Sequence, residues 1–140
     1  MTAKEYLSQL RALDDRINQK IREASELKAL AFNAGALGVD GDRVQTSGSA
    51  ESRQCRAIEK YVDMQAEIDA DIDAYVDLKH RIINEIQRLS DKRHAAVLYM
   101  RYAAGMGFSE IADEMGYGRE WACRLHGEAL REFEKILDSC

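Results

Sequence analysis

Apolar residues recur along this chain at intervals of three and four, the period of a helix with one buried side. Between residues 2 and 33 the stripe is Leu7, Leu10, Leu13, Ile17, Ile21, Ala24, Leu27 and Leu30. Thr2, with Glu5 three residues on, supplies a capping-box start. A helix of about 30 residues is about 45 Å long, too long for the flank of one compact bundle of this size. A more regular stripe runs through 51–89 as Ile58, Tyr61, Gln65, Ile68, Ile72, Tyr75, Lys79, Ile82, Ile86 and Leu89. A sustained 3.5-residue repeat keeps one seam facing a partner helix, as in coiled coils. That partner is either helix 2–33, folded back antiparallel, or a second subunit; the pattern fits both. Residues 34–50, AGALGVDGDRVQTSGSA, have no periodicity and predict a flexible or functional loop, with Asp40, Asp42, Arg43 and Gln45 available to a partner.

Beyond residue 89 the stripes shorten. Ser90 is placed to cap a helix over 90–104, crowded by Val97, Leu98, Met100, Arg101 and Tyr102. Gly105 and Gly107 punctuate the chain, and Ser109 is placed to cap a helix ending near 115. A third helix over 118–136 carries Ala122, Leu125, Ala129, Leu130, Phe133, Ile136 and Leu137 on one face. The predicted fold is all-α: a long N-terminal, coiled-coil-like helical hairpin over 1–89 and a three-helix bundle over 90–140. The chain contains no proline, as long uninterrupted helices require.

Within 108–125, FSEIADEMGYGREWACRL, the spacing is that of a DNA-binding helix-turn-helix. Ala112 is the small residue where two helices cross, Gly116 reverses the chain, and Ala122 and Leu125 bury the second helix. Ile111 and Met115 complete the buried face of the first. A glycine suits the turn because positive φ is cheap only without a Cβ. An ordinary αα-hairpin has the same ingredients, so the surrounding sequence decides between them. In a helix-turn-helix the second helix presents its N-terminal residues to the major groove, and here those include Arg119, Glu120 and Arg124.

Charge tempers this reading. The chain carries −5 overall, and residues 90–140 hold seven basic and nine acidic side chains. DNA affinity draws on counterion release by Lys and Arg, so an acidic module alone binds weakly. A basic face, a dimer or a partner protein is then required. Asp63, Glu67, Asp69, Asp71, Asp73 and Asp77 make the middle helix markedly acidic; a solvated flank or a protein-docking surface explains them better than acid–base chemistry.

No catalytic, cofactor or metal site is expected. His80, His94 and His126 are isolated, and Cys123 with His126 supplies only two ligands one turn apart. Cys55, Cys123 and Cys140 are odd in number and widely spaced, which argues against a disulfide framework. With no apolar run long enough to span a bilayer and no signal-like start, the expected location is the cytoplasm.

The run VLYMRYAAGMGFSEIADEMGYGREWACRLHGEALREF resembles region four of bacterial sigma factors, which reads the −35 promoter element. Leu98, Arg101, Tyr102, Gly105, Ile111, Ala112, Gly116, Leu125, His126, Ala129 and Leu130 stand at family positions. Two positions depart: Gly118 replaces a capping Ser or Thr, and Ala122 a Val or Ile. The resemblance implies base-reading roles for Arg119, Glu120 and Arg124, with Trp121 and Cys123 flanking them near the DNA backbone. It covers the C-terminal third, and nothing resembles the sigma segments that melt the −10 element.

The whole chain resembles small phage and prophage late-transcription regulators of the ArpU type, through MTAKEYLSQLRALDDRI and GDRVQTSGS. The expectation is a sequence-specific, double-stranded-DNA-binding regulator of phage or prophage origin. It would act at promoters alone or with RNA polymerase, as a homodimer through its N-terminal helices. A small-terminase-like packaging protein is an alternative, although those usually place the DNA-binding unit first. A protein-binding module that has lost DNA affinity is another, supported by the acidic balance.

Overall fold

The computed structural model describes residues 1–37 and 47–139. All regular structure among them is helical: α1 (Ala3–Leu37), α2 (Ser47–Ile86), α3 (Lys92–Leu98), a π-helical turn (Tyr99–Ala103), α4 (Phe108–Met115) and α5 (Arg119–Asp138). Helices α1 and α2 both run into the segment expected to be a loop over 34–50. Ala34, Ala36 and Leu37 are strong helix formers, and one Gly35 costs only about 1 kcal/mol. Asp40, Asp42, Arg43 and Gln45 lie outside the described residues.

The chain forms two compact units, one of residues Asp15–Asp73 and one joining Met1–Asp14 to Ala74–Cys140. In the first, α1 packs antiparallel on α2, so the partner of the α2 seam is α1 itself. Lys20 Nζ donates to Asp71 Oδ2 at 2.7 Å, and Gln54 Nε2 donates to the Ala31 carbonyl at 2.7 Å. Ile17, Ala24, Ala31 and Ile68 are buried.

Here the expected stripes need correction. Ile21 and Leu30 on α1 and Ile72 on α2 are exposed. The ion pair explains the shift at the centre. Lys20 and Asp71 take adjacent seam positions, each side chain mostly covered, and Arg16 adds a 3.7 Å contact to the same carboxylate. The Lys20 hydrogen bond holds the Asp71 carboxyl below its ordinary pKa. A polar pair in an apolar seam fixes register, because slipping the helices strands both charges.

In the second unit, Leu7 and Leu10 of α1 and Ile82 and Ile86 of α2 share one core with Val97, Leu98, Ile111, Leu125 and Phe133. The capping box forms as expected, with the Glu5 N–H donating to Thr2 Oγ1 at 3.2 Å. Tyr6 stacks on Phe133, centroids 6.1 Å apart, and its hydroxyl donates to Glu85. Burial and that carboxylate push the Tyr6 phenol up to about 12.

Two caps differ from expectation. Helix α3 is capped by Asp91, whose Oδ1 accepts from the Arg93 N–H at 2.9 Å, not by Ser90. A carboxylate suits this position doubly, accepting an orphan amide and facing the positive end of the helix dipole. Ser90 instead donates through N–H and Oγ to Glu132 Oε1 on α5, at 3.2 and 2.9 Å. Ser109 lies inside α4, whose N-cap is Gly107 with no side-chain hydrogen bond.

Candidate nucleic-acid interface

Helix α4 ends on Gly116, which sits in the left-handed region at φ 76° and ψ 28°. The Tyr117 N–H then reaches back to the Ala112 carbonyl at 2.9 Å, closing the turn with a bond typical of glycine-terminated helices. A Cβ added at Gly116 meets nothing within 4 Å, so glycine is needed for the dihedral and not for space. Tyr117 and Gly118 complete the connection, and Gly118 is the N-cap of α5 in extended backbone at φ −77°, ψ 159°.

Ala122, Leu125, Ala129 and Phe133 anchor α5 in the core, all buried. The smaller Ala122 is therefore accommodated without opening the helix to solvent. Opposite this stripe, Arg119, Glu120, Cys123 and Arg124 are exposed on the first two turns. Four of the five residues singled out from sequence thus share an outward face.

Trp121 is placed differently. It is half-buried, with its ring 5.3 Å from Tyr117 in a T-shaped contact and 5.9 Å from the Arg93 guanidinium. Its indole N–H is buried and has no hydrogen-bond partner. Arg93 is also ion-paired to Asp91 at 3.3 Å. Tyr117 and Arg93 had no signature in the spacing, since only the folded turn brings 93, 117 and 121 together.

Neither α4 nor α5 has a side-chain hydrogen bond at its N-cap. A hydroxyl restores one: Gly118→Ser should stabilise the fold by a few tenths of a kcal/mol, because the backbone is already extended and the Cβ position is open. A thermal melt giving an unchanged or lower midpoint would refute it.

Behind the helix-turn-helix two histidines are tied into packing. His94 Nδ1 hydrogen-bonds Glu132, while its Nε2 lies 3.7 Å from both Asp91 and Glu128 carboxylates. Together with Ser90, this fastens the start of α3 to the middle of α5, and it holds the Glu132 carboxyl low. His126 hydrogen-bonds Tyr102 at 2.8 Å and meets the edge of Phe108 at 5.0 Å between centroids. Burial lowers its pKa to about 4, aided by Arg101 and Lys4. Arg101 is committed as well, donating to the Met106 carbonyl at 3.2 Å and lying 4.4 Å over Phe108.

Cys55 and Cys123 are free thiols. Among the described residues no group of three His, Cys, Asp or Glu side chains is arranged to hold a metal, and no helix is long and apolar enough to cross a membrane.

Residues 86–133 match the family model of Sigma-70, region 4. The match covers α3, the π-helical turn, α4, the glycine turn and most of α5. This part of the chain is a sigma region-four-like helix-turn-helix, and that family is one of DNA-binding domains, not of enzymes. No protein with a curated description and no solved structure matches the chain.

Proposed function

We propose that the chain is a sequence-specific transcriptional regulator in which residues 90–140 read promoter DNA and the helices of 1–89 mediate dimerisation or docking on RNA polymerase. The observation that carries this reading is the exposed set Arg119, Glu120 and Arg124 on the first turns of α5, directly behind a left-handed glycine turn, inside the region-four match. Arginine donates two bonds to the O6 and N7 of guanine, and a glutamate accepts from the amino group of cytosine. Cys123 lies beside them, able to approach the sugar–phosphate backbone. Trp121, wedged between Tyr117 and Arg93, supports the aim of α5 and does not itself read bases.

The acidic balance shapes the mechanism. With −5 overall, a single copy gains little from counterion release. Two linked copies, or one copy held against polymerase, raise the effective concentration of the second contact. The ArpU-type resemblance supports a phage or prophage origin and a role in late transcription.

The test is fluorescence anisotropy on a duplex selected from a random library, against a scrambled duplex of equal length. Arg124→Ala should weaken the selected site roughly 10- to 100-fold and leave the scrambled one almost unchanged. Equal loss on both would make Arg124 a phosphate contact, and no loss would remove it from the interface. The net negative charge favours one second reading, a protein-binding module without DNA affinity; absence of salt-dependent binding at low ionic strength would select it.

A further inference from the structure

Among the described residues of the unit Asp15–Asp73, five large apolar side chains are exposed: Ile21, Leu30, Phe32, Val62 and Ile72. Four of them follow a residue facing the α1–α2 seam by one position: Lys20, Ala31, Tyr61 and Asp71 respectively. One step along a helix turns the side chain by about 100°. Because α1 and α2 are antiparallel, the same turn on each brings both to the same side of the hairpin. The Phe32 edge contact on Tyr61, centroids 6.3 Å apart, lies on that side. The opposite side holds the Arg16 contact to Asp71 and carries Leu30. Four of the five exposed apolar side chains thus share one side of the hairpin, and the Arg16–Asp71 contact lies on the other.

The charges along these stripes are also sorted. On α1 Lys28 lies between Ile21 and Phe32 with Arg22 to the outside, and on α2 Asp69 lies between Val62 and Ile72 with Glu59 to the outside, all exposed and without an ion-pair partner among the described residues. The contacts Lys20–Asp71 and Ala31–Gln54 set the level of one helix against the other. They place Arg22 level with Asp69 and Lys28 level with Glu59. A two-fold rotation about the long axis of the hairpin keeps every residue at its level and exchanges α1 for α2. It therefore sets Arg22 over Asp69, and Lys28 over Glu59, of another copy.

We propose that the face formed by Ile21, Phe32, Val62 and Ile72 is the isologous interface with a second copy of this chain, closing two hairpins into an antiparallel four-helix bundle. A partner of uniform charge matches only one helix of this face, whereas a second copy matches both. The proposal rests on the dimeric reading of the N-terminal helices and specifies its surface and symmetry.

Sedimentation velocity on the full chain tests it. The wild-type protein should be a dimer, and Val62→Glu with Ile72→Glu should weaken association by ~100-fold or more at unchanged helical content. Lys28→Glu should weaken it more modestly and in a salt-dependent way, with Glu59→Lys in the same chain restoring it. A wild-type monomer at about 100 µM, or a dimer indifferent to all these changes, overturns the interface. DNA binding measured on the same samples separates the two proposals. A dimer with no affinity for DNA upholds the interface and refutes the regulator, while a monomeric wild type that binds the selected duplex does the reverse.

Discussion

Phe133→Ala should destabilise the unit containing α3–α5 by about 3–5 kcal/mol, the usual range for emptying a fully buried aromatic site. Phe133 is the largest fully buried side chain, and it meets both ends of the chain. It projects from α5 into the cluster of Leu7, Leu10, Ile86 and Leu125, and it stacks on Tyr6. Helices held at both sides cannot collapse into the void without moving α1, so little of the loss is recovered by relaxation. Against a typical total stability of about 5–15 kcal/mol, such a change lowers the melting midpoint by well over 10 °C. Tyr117→Ala, at a 44% exposed position, should move it far less. Urea unfolding followed by circular dichroism gives both numbers. A Phe133→Ala loss below about 1 kcal/mol would show that the chain start does not share this core.

The same unit should lose stability in acid, beginning near neutrality. The half-buried His126 ring has a pKa of about 4 against its ordinary 6.5. Above pH 6.5 the ring is neutral in both folded and unfolded chains, so its contribution is fully present. Between 6.5 and 4 only the unfolded chain takes up the proton, and stability falls, by on the order of 1–2 kcal/mol once solvent screening of the half-buried ring is allowed for. Glu132 and Asp91, both held low by hydrogen bonds, extend the loss below their ordinary values of 4.5 and 3.8. They are needed as anions, so protonation removes the tie from Ser90 and His94 and the cap of α3. Urea midpoints at pH 7.5, 6, 5 and 4.5 should trace this decline, and His126→Gln should flatten its upper part. An identical slope in the variant would assign the acid sensitivity elsewhere.

What could be read from the residues divides by range. The glycine turn, the Thr2 cap and the buried stripe of α5 depend on neighbours within a few positions, and they fold as expected. The seam of α2 was harder because the helix carries two overlapping apolar stripes. Ile58, Gln65 and Ile72 alternate with Tyr61 and Ile68 as regularly as Met64 and Asp71 do, and periodicity cannot choose between them. The partner chooses: Lys20 on α1 draws Asp71 inward and leaves Ile72 outside. At the caps, a hydroxyl signal at Ser90 competed with a carboxylate one residue later, and a long-range acceptor, Glu132, settled the matter. At the candidate interface, the outward set Arg119, Glu120, Cys123 and Arg124 was legible from helical phase alone. The inward turn of Trp121 was not, since it depends on Arg93, a residue 28 positions away.

The sharing of one core by the first fourteen residues and the last third of the chain bears on how the protein is made. The Ala3 N–H finds its acceptor on Glu134, 131 positions later. On the ribosome, Leu7 and Leu10 are made long before Phe133, which can cover them only once the residues between have been synthesised. The hairpin of Asp15–Asp73 has its own seam and can form much earlier. Synthesis therefore imposes an order: the Asp15–Asp73 hairpin can assemble first, and α5 is locked in place only after Phe133 has emerged. Chains that stop before α5 would keep the hairpin while leaving Leu7 and Leu10 without their cover.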